Sequence, residues 1–205
     1  MKTKFKFSKW IMMLIFSAST LGTWAQVTTN PDHACLNSTE NYWVVNTLGS
    51  TYNWVLSGGG TITTGQGTDQ ISINWTATGP YILTVTETFT STTGCVGVPV
   101  TLNIIVDPLP VVALTGPSPV CVNSTGNIYS TDAGMTNYAW IVSAGGTVTA
   151  GGTATDNTVT VTWNTAASQT VSVNYTNETN CTAAVATVLN VSVNPIPATS
   201  PIWHN

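Results

Sequence analysis

A set of landmark residues returns along this chain at a nearly fixed offset. Such a repeat constrains the fold strongly, because each copy must be a unit that buries its own apolar face. Cys35 and Cys121 stand 86 residues apart, as do Cys95 and Cys181, and Tyr52-x-Trp54 returns at the same offset as Tyr138-x-Trp140. The glycine turn Gly58-Gly59-Gly60 is answered by Gly145-Gly146, and Trp75 by Trp163 with two extra residues between. Each copy closes on a proline-marked exit, Asp107-Pro108-Leu109-Pro110 and Asn194-Pro195-Ile196-Pro197. The chain is therefore expected to hold two homologous modules in tandem.

Within each module the apolar residues alternate with polar ones, the pattern of strands buried on one face. Ile71, Ile73 and Trp75 form one such run and Val159, Val161 and Trp163 its counterpart. Val98, Val100, Leu102, Ile104 and Val106 form a longer run, mirrored by Val185, Leu189, Val191 and Val193, and Tyr81, Leu83 and Val85 are mirrored by Val171, Val173 and Tyr175. Turn clusters such as Ala77-Thr78-Gly79-Pro80 separate the runs by about ten residues, a spacing that suits a sandwich or barrel. Thr, Ser, Asn, Gly and Val dominate the composition, which supports strands and turns and gives helices little. No helical period follows the first 25 residues.

That first stretch reads as a signal peptide: Lys2, Lys4, Lys6 and Lys9 are followed by an apolar core and a small-residue cleavage site at Thr23-Trp24-Ala25. The apolar run is too short to span a bilayer, and Cys35 lies too far past the expected cut for lipid attachment. The expected division is 1–25 signal peptide, 26–110 first sandwich, 111–197 second sandwich and 198–205 C-terminal tail, with the segment from Pro108 to Pro119 an extended, stiff connection. No Lys or Arg follows Lys9, whereas eight acidic side chains are spread singly beyond it. Nucleic acid and anionic membrane surfaces both call for cationic contacts, so neither is an expected partner.

An exported chain with an even number of cysteines, two per repeat at equal separation, pairs them most simply inside each repeat. The expected disulfides are Cys35 with Cys95 and Cys121 with Cys181. Thiols at this spacing without neighbouring histidines do not match zinc-binding patterns, and no metal or other cofactor is expected.

Catalytic candidates are few. His33 falls in the N-terminal lead-in and His204 next to the end, both read as mobile positions, and no glycine-rich phosphate loop with its lysine occurs. Asp69 and Asp156 follow corresponding glycine-containing turns, where the plain reading is a turn-capping role. The Asn-x-Ser and Asn-x-Thr triplets are expected by chance in a chain this rich in Asn and Thr. No enzymatic activity is expected. Trp54, Trp75, Trp140 and Trp163 lie on inward-facing runs and read as core residues rather than a sugar-stacking platform. Trp43 lacks an aromatic counterpart, with Tyr129 nearest, so it either packs beneath the first strand or is exposed. The tail carries an apolar Ile202-Trp203 pair that could add to a partner's sheet edge, against the alternative of a frayed end. Trp43, Ile202 and Trp203 are thus the candidate partner-docking residues.

The order of Cys, Tyr-x-Trp, glycine turn, alternating strand ending in Trp, Gly-Cys, alternating strand and Pro-x-Pro exit resembles the PKD-like repeats of secreted Bacteroidota proteins, over roughly residues 31–197. The acidic turn that follows the Trp in better-known PKD domains is replaced by Val55-Leu56-Ser57-Gly58 and Ile141-Val142-Ser143-Ala144, and no calcium role is assigned. The resemblance implies an all-β chain of two tandem immunoglobulin-like, PKD-like antiparallel β-sandwiches of seven strands each, serving as spacer, adhesin segment or surface-assembly part. It also implies association with type IX secretion and gliding motility, placement outside the cell, at its surface or in the periplasm, and partners among other surface or outer-membrane proteins. A carbohydrate-binding extracellular protein, with glycans as partners, is the alternative.

Overall fold

The computed structural model describes residues 31–90 and 94–204. The signal-peptide reading of residues 1–25 lies outside them.

Fifteen strands are described, and no helix. In the first half they are β1 (Asp32–Cys35), β2 (Thr39–Trp43), β3 (Ser50–Leu56), β4 (Gly60–Thr64), β5 (Gln70–Trp75), β6 (Gly79–Phe89), β7 (Cys95–Val96) and β8 (Val100–Asp107). One sheet runs β1-β8-β6-β3 with β7 attached to β6, and the facing sheet runs β2-β5-β4. The second half repeats the plan with β9 (Val120–Cys121), β10 (Asn127–Ser130), β11 (Thr136–Val142), β12 (Gly146–Gly151), β13 (Thr158–Trp163), β14 (Ser168–Thr176) and β15 (Thr187–Asn194). Its sheets are β11-β14-β15-β9 and β10-β13-β12. The all-β, two-sandwich expectation is met.

The sandwiches are not wholly antiparallel. The first strand of each module runs parallel to the last, with Cys35 opposite Asp107 and Cys121 opposite Asn194. The chain then has to cross to the other sheet. It does so through a tight turn at Asn37 and at Asn123, with φ of 64° and 63°, a backbone region that asparagine tolerates better than most residues.

The period-two pattern becomes burial in the central strands. Ile71, Ile73 and Trp75 on β5, and Val159, Val161 and Trp163 on β13, are inaccessible or nearly so, while the residues between them are partly exposed. These residues anchor two separate sets of cores. Ala34, Tyr42, Tyr52, Trp54, Leu83, Ile104 and Val106 belong to the first, and Val112 to Val193 supply the second. Trp54 is buried and Trp140 half-buried, so the four repeat tryptophans pack inward as read.

Two strand boundaries fall short of the alternating runs. Val98 and Val185 are exposed and lie outside β8 and β15; alternation continues into hairpin segments where no facing sheet covers it. The connecting segment is also shorter than expected. Val112 is buried in the second core, and Thr187 Oγ1 donates to its carbonyl at 2.7 Å. Thr115 pairs with Ser130, and Ser118 Oγ accepts the Ser192 N–H at 3.1 Å. From Val112 onward the segment is therefore a docked edge of the second module, leaving 108–111 as the connection.

Candidate functional site

The two modules are joined covalently where they meet. Cys35 is bonded to Cys181, with Cα atoms 5.6 Å apart and 146 residues between them in sequence. This overturns the expected pairing of Cys35 with Cys95 and of Cys121 with Cys181.

Strand geometry gives the reason. Cys35 sits beside Asp107, and the neighbouring row pairs Val106 with Gly79, at the start of β6. Cys95 sits opposite Phe89, at the far end of the same strand. Ten residues of extended chain separate these rows, roughly 33 Å, whereas a disulfide needs its Cα atoms within about 7 Å. In the second module Cys121 lies opposite Asn194 at the end of β15, while Cys181 lies in the hairpin before β15 begins at Thr187. Seven residues of extended β15, roughly 23 Å, again keep the two apart. Each module thus carries one cysteine at each end of its long axis.

On the first module's side, β1 holds Cys35 firmly. Leu36 N–H donates to the Asp107 carbonyl at 2.9 Å, Ser38 N–H to the Cys35 carbonyl at 3.0 Å and Asn37 N–H to the Trp75 carbonyl at 2.8 Å. His33, expected to be mobile, lies on β1 with Nδ1 2.6 Å from Asp107 Oδ2. On the second module's side the hairpin after β14 is built around Asn177. Its side-chain oxygen accepts the N–H of Thr179 (3.2 Å) and of Cys181 (2.8 Å) and the hydroxyl of Thr179 (3.0 Å). Asn180 takes φ of 65° and Thr176 pairs with Thr182, so the turn delivers a fully buried Cys181 to its partner.

A second polar cluster braces this end of the second module. Asp132 Oδ2 accepts the Ala113 N–H at 3.1 Å and the Tyr175 hydroxyl at 2.8 Å, and Tyr138 Oη donates to the Asp132 carbonyl at 2.8 Å. The Ala113 N–H, then the Tyr175 hydroxyl, hold the Asp132 carboxyl below its ordinary range. Burial, reinforced by the Asp132 carboxylate, pushes the Tyr175 hydroxyl up to about 12. These groups have settled hydrogen-bond partners and serve the fold.

The remaining candidates are dispersed. Trp43 is 71% exposed on the outer side of β2, and register shows Tyr42, not Trp43, to be the counterpart of Tyr129: Tyr42 faces Ile71 as Tyr129 faces Val159. Ile202 and Trp203 are exposed and lie outside any strand. Asp156 caps its turn, accepting the Thr153 N–H at 3.0 Å. His204, at the far end of the tail, is exposed. Among the described residues, no three His, Cys, Asp or Glu side chains gather into a metal-holding group. Sequence reasoning missed the junction itself, because the equal offset between the cysteine pairs fits pairing within a repeat as well as pairing between repeats.

Strand order and the cross-sheet turns define a protein of two immunoglobulin-like β-sandwiches in tandem. The chain belongs to the PKD-like domain family, whose model matches residues 22–98 and 107–191. No curated protein matches the chain in sequence. Among solved structures it is similar to the fibronectin(III)-like modules of Clostridium thermocellum CbhA, at 12% identity and TM-score 0.40, over 88% of this chain and 98% of that one. It is also similar to the D00-D0 domain of Intimin, at 16% identity and TM-score 0.34, over 82% and 95%. A third similarity is to Bacteroides ovatus SGBP-B of a mixed-linkage glucan utilization locus, solved with a mixed-linkage heptasaccharide, at 13% identity and TM-score 0.30, over 84% and 46%.

Proposed function

We propose that this protein is an exported, non-enzymatic structural or adhesive component of the bacterial cell surface, working as a two-module spacer within a surface assembly of the kind associated with type IX secretion and gliding. The observation that carries this reading is the Cys35–Cys181 bond. A structural disulfide persists in an oxidising compartment, and one placed between modules fixes how two sandwiches follow each other without adding to either core. Surface proteins are the partners in this reading, and exposed Trp43 and the Ile202-Trp203 pair offer apolar contacts to them. Affinity purification of the tagged full chain from the native cell envelope tests it. Co-elution with surface or outer-membrane proteins is expected, and recovery of the chain alone from the cytosol would overturn the proposal.

One observation favours glycan binding as a second reading: Trp43 presents most of its ring to solvent on a regular strand, a geometry suited to stacking on a sugar face. Glycan-array binding that disappears in Trp43→Ala would establish it, and an array without signal would remove it.

A further inference from the structure

We propose that Cys121 is a module-linking cysteine, whose thiol takes the hairpin cysteine of a further PKD-like module just as Cys35 takes Cys181. The argument rests on the two copies of one site within this chain, one engaged and one open.

Cys121 reproduces three backbone hydrogen bonds of the Cys35 setting. Val122 N–H donates to the Asn194 carbonyl at 2.8 Å, as Leu36 N–H does to Asp107. Ser124 N–H donates to the Cys121 carbonyl at 3.1 Å, as Ser38 N–H does to Cys35, and Asn123 N–H donates to the Trp163 carbonyl at 2.7 Å, as Asn37 N–H does to Trp75. The left-handed Asn123 repeats Asn37. The same strand, turn and cross-sheet bonds therefore aim the Cys121 side chain as they aim that of Cys35.

What differs is the neighbour. Cys35 meets a hairpin cysteine presented by the module that follows it, whereas Cys121 lies exposed at the opposite end of the second module, far from Cys181. The partner is chemically defined by the engaged copy: a cysteine preceded by a left-handed residue, in the hairpin between the last two long strands of a PKD-like module. Cys181 after Asn180 has this form, and Cys95 after Gly94, with φ of 57°, stands at the same hairpin position of the first module.

Bond formation proceeds by thiol–disulfide exchange with an oxidised dithiol such as glutathione disulfide. The Cys121 thiolate attacks one sulfur of that disulfide and releases one glutathione thiol. The incoming hairpin thiolate then displaces the second, so that two protein thiols are oxidised and one glutathione disulfide is reduced to two thiols.

The test mixes two full-length chains in a glutathione redox buffer. The recipient carries Cys95→Ser, leaving Cys121 outside the existing disulfide; the probe carries Cys35→Ser, Cys95→Ser and Cys121→Ser, which leaves Cys181 as its single cysteine. A disulfide-linked heterodimer with a Cys121–Cys181 peptide is expected, and it should be lost when the recipient also carries Cys121→Ser. A control probe with all four cysteines replaced by Ser and Thr61→Cys presents a thiol elsewhere; crosslinking to it as readily as to Cys181 would reduce Cys121 to an ordinary exposed thiol and overturn the proposal. A second measurement does not depend on the probe's folding: disulfide mapping of the native chain purified from its envelope. Cys121 bonded to Cys95 of a second copy, or to a hairpin cysteine of another PKD-like polypeptide, supports the proposal and names the source. Cys121 recovered as a free thiol overturns it.

Discussion

The hydroxyl of Tyr129 sits inside the second core, accepting a hydrogen bond from Trp163 Nε1 at 2.9 Å and donating one to the Pro117 carbonyl at 3.1 Å. The two rings meet edge to face at 6.2 Å. Tyr129→Phe keeps that packing but strands a buried indole N–H and releases the docked segment, so it should lower second-module stability by about 1–3 kcal/mol, read by urea denaturation. Asp132 is the other residue with leverage here. Its carboxyl lies below the ordinary 3.8 in the folded state, held first by the Ala113 N–H. A depressed folded value means that the charged form stabilises the fold above the unfolded value, and that this contribution is lost as pH falls through the folded one. Second-module stability should therefore drop between pH 5 and about pH 3, and Asp132→Asn should flatten that drop; an unchanged pH profile in the variant would count against the role. Asp156 in the same module, through the Thr153 hydroxyl first, is depressed in the same sense, so the Asp132→Asn profile keeps some slope.

The hairpins connecting β4 to β5 and β12 to β13 share a register shift, between Ile62 and Thr64 and between Val148 and Ala150. In each the chain passes through a left-handed glycine, Gly65 with φ of 88° and Gly151 with φ of 65°. A methyl group on Gly65 would run into the Gln70 carbonyl oxygen, which is backbone and cannot swing aside. Gly65→Ala should thus cost the first module at least the 1–3 kcal/mol typical of a forced backbone conformation. Differential scanning calorimetry should show the second module's transition unmoved. At this scale the sequence was readable where burial follows period two, as on β5 and β13. It was misleading where alternation outran the facing sheet, at Val98 and Val185, and silent on the parallel pairing of β1 with β8, since period two does not encode direction. The cysteines show a different limit. Two thiols per repeat at equal separation satisfy pairing inside each repeat and pairing between successive repeats equally well. Only the strand register, which places Cys35 and Cys95 at opposite ends of β6, separates the two. Trp43 was ambiguous for a similar reason: a one-residue step in register exchanges it with Tyr42 between solvent and core.

Across the whole molecule, the apolar clusters divide cleanly, residues 34–106 on one side and 112–193 on the other. Each module has the core needed to unfold as its own unit, yet the Cys35–Cys181 bond closes a loop that spans most of both. On the chain-entropy model a loop of this length contributes roughly 5 kcal/mol when the entire enclosed chain unfolds, and that contribution belongs to neither module alone. A crosslink inside a module would instead stabilise only its own sandwich. The double variant Cys35→Ser/Cys181→Ser should therefore lower the unfolding midpoints of both modules together, while each transition stays cooperative. It should also broaden the distribution of distances between spin labels placed one on each module, because the 108–111 connection then becomes the sole covalent path between them. Pulsed electron resonance reads the second effect and calorimetry the first. A midpoint change confined to one module, with the distance distribution unaltered, would show that the crosslink does not span the junction.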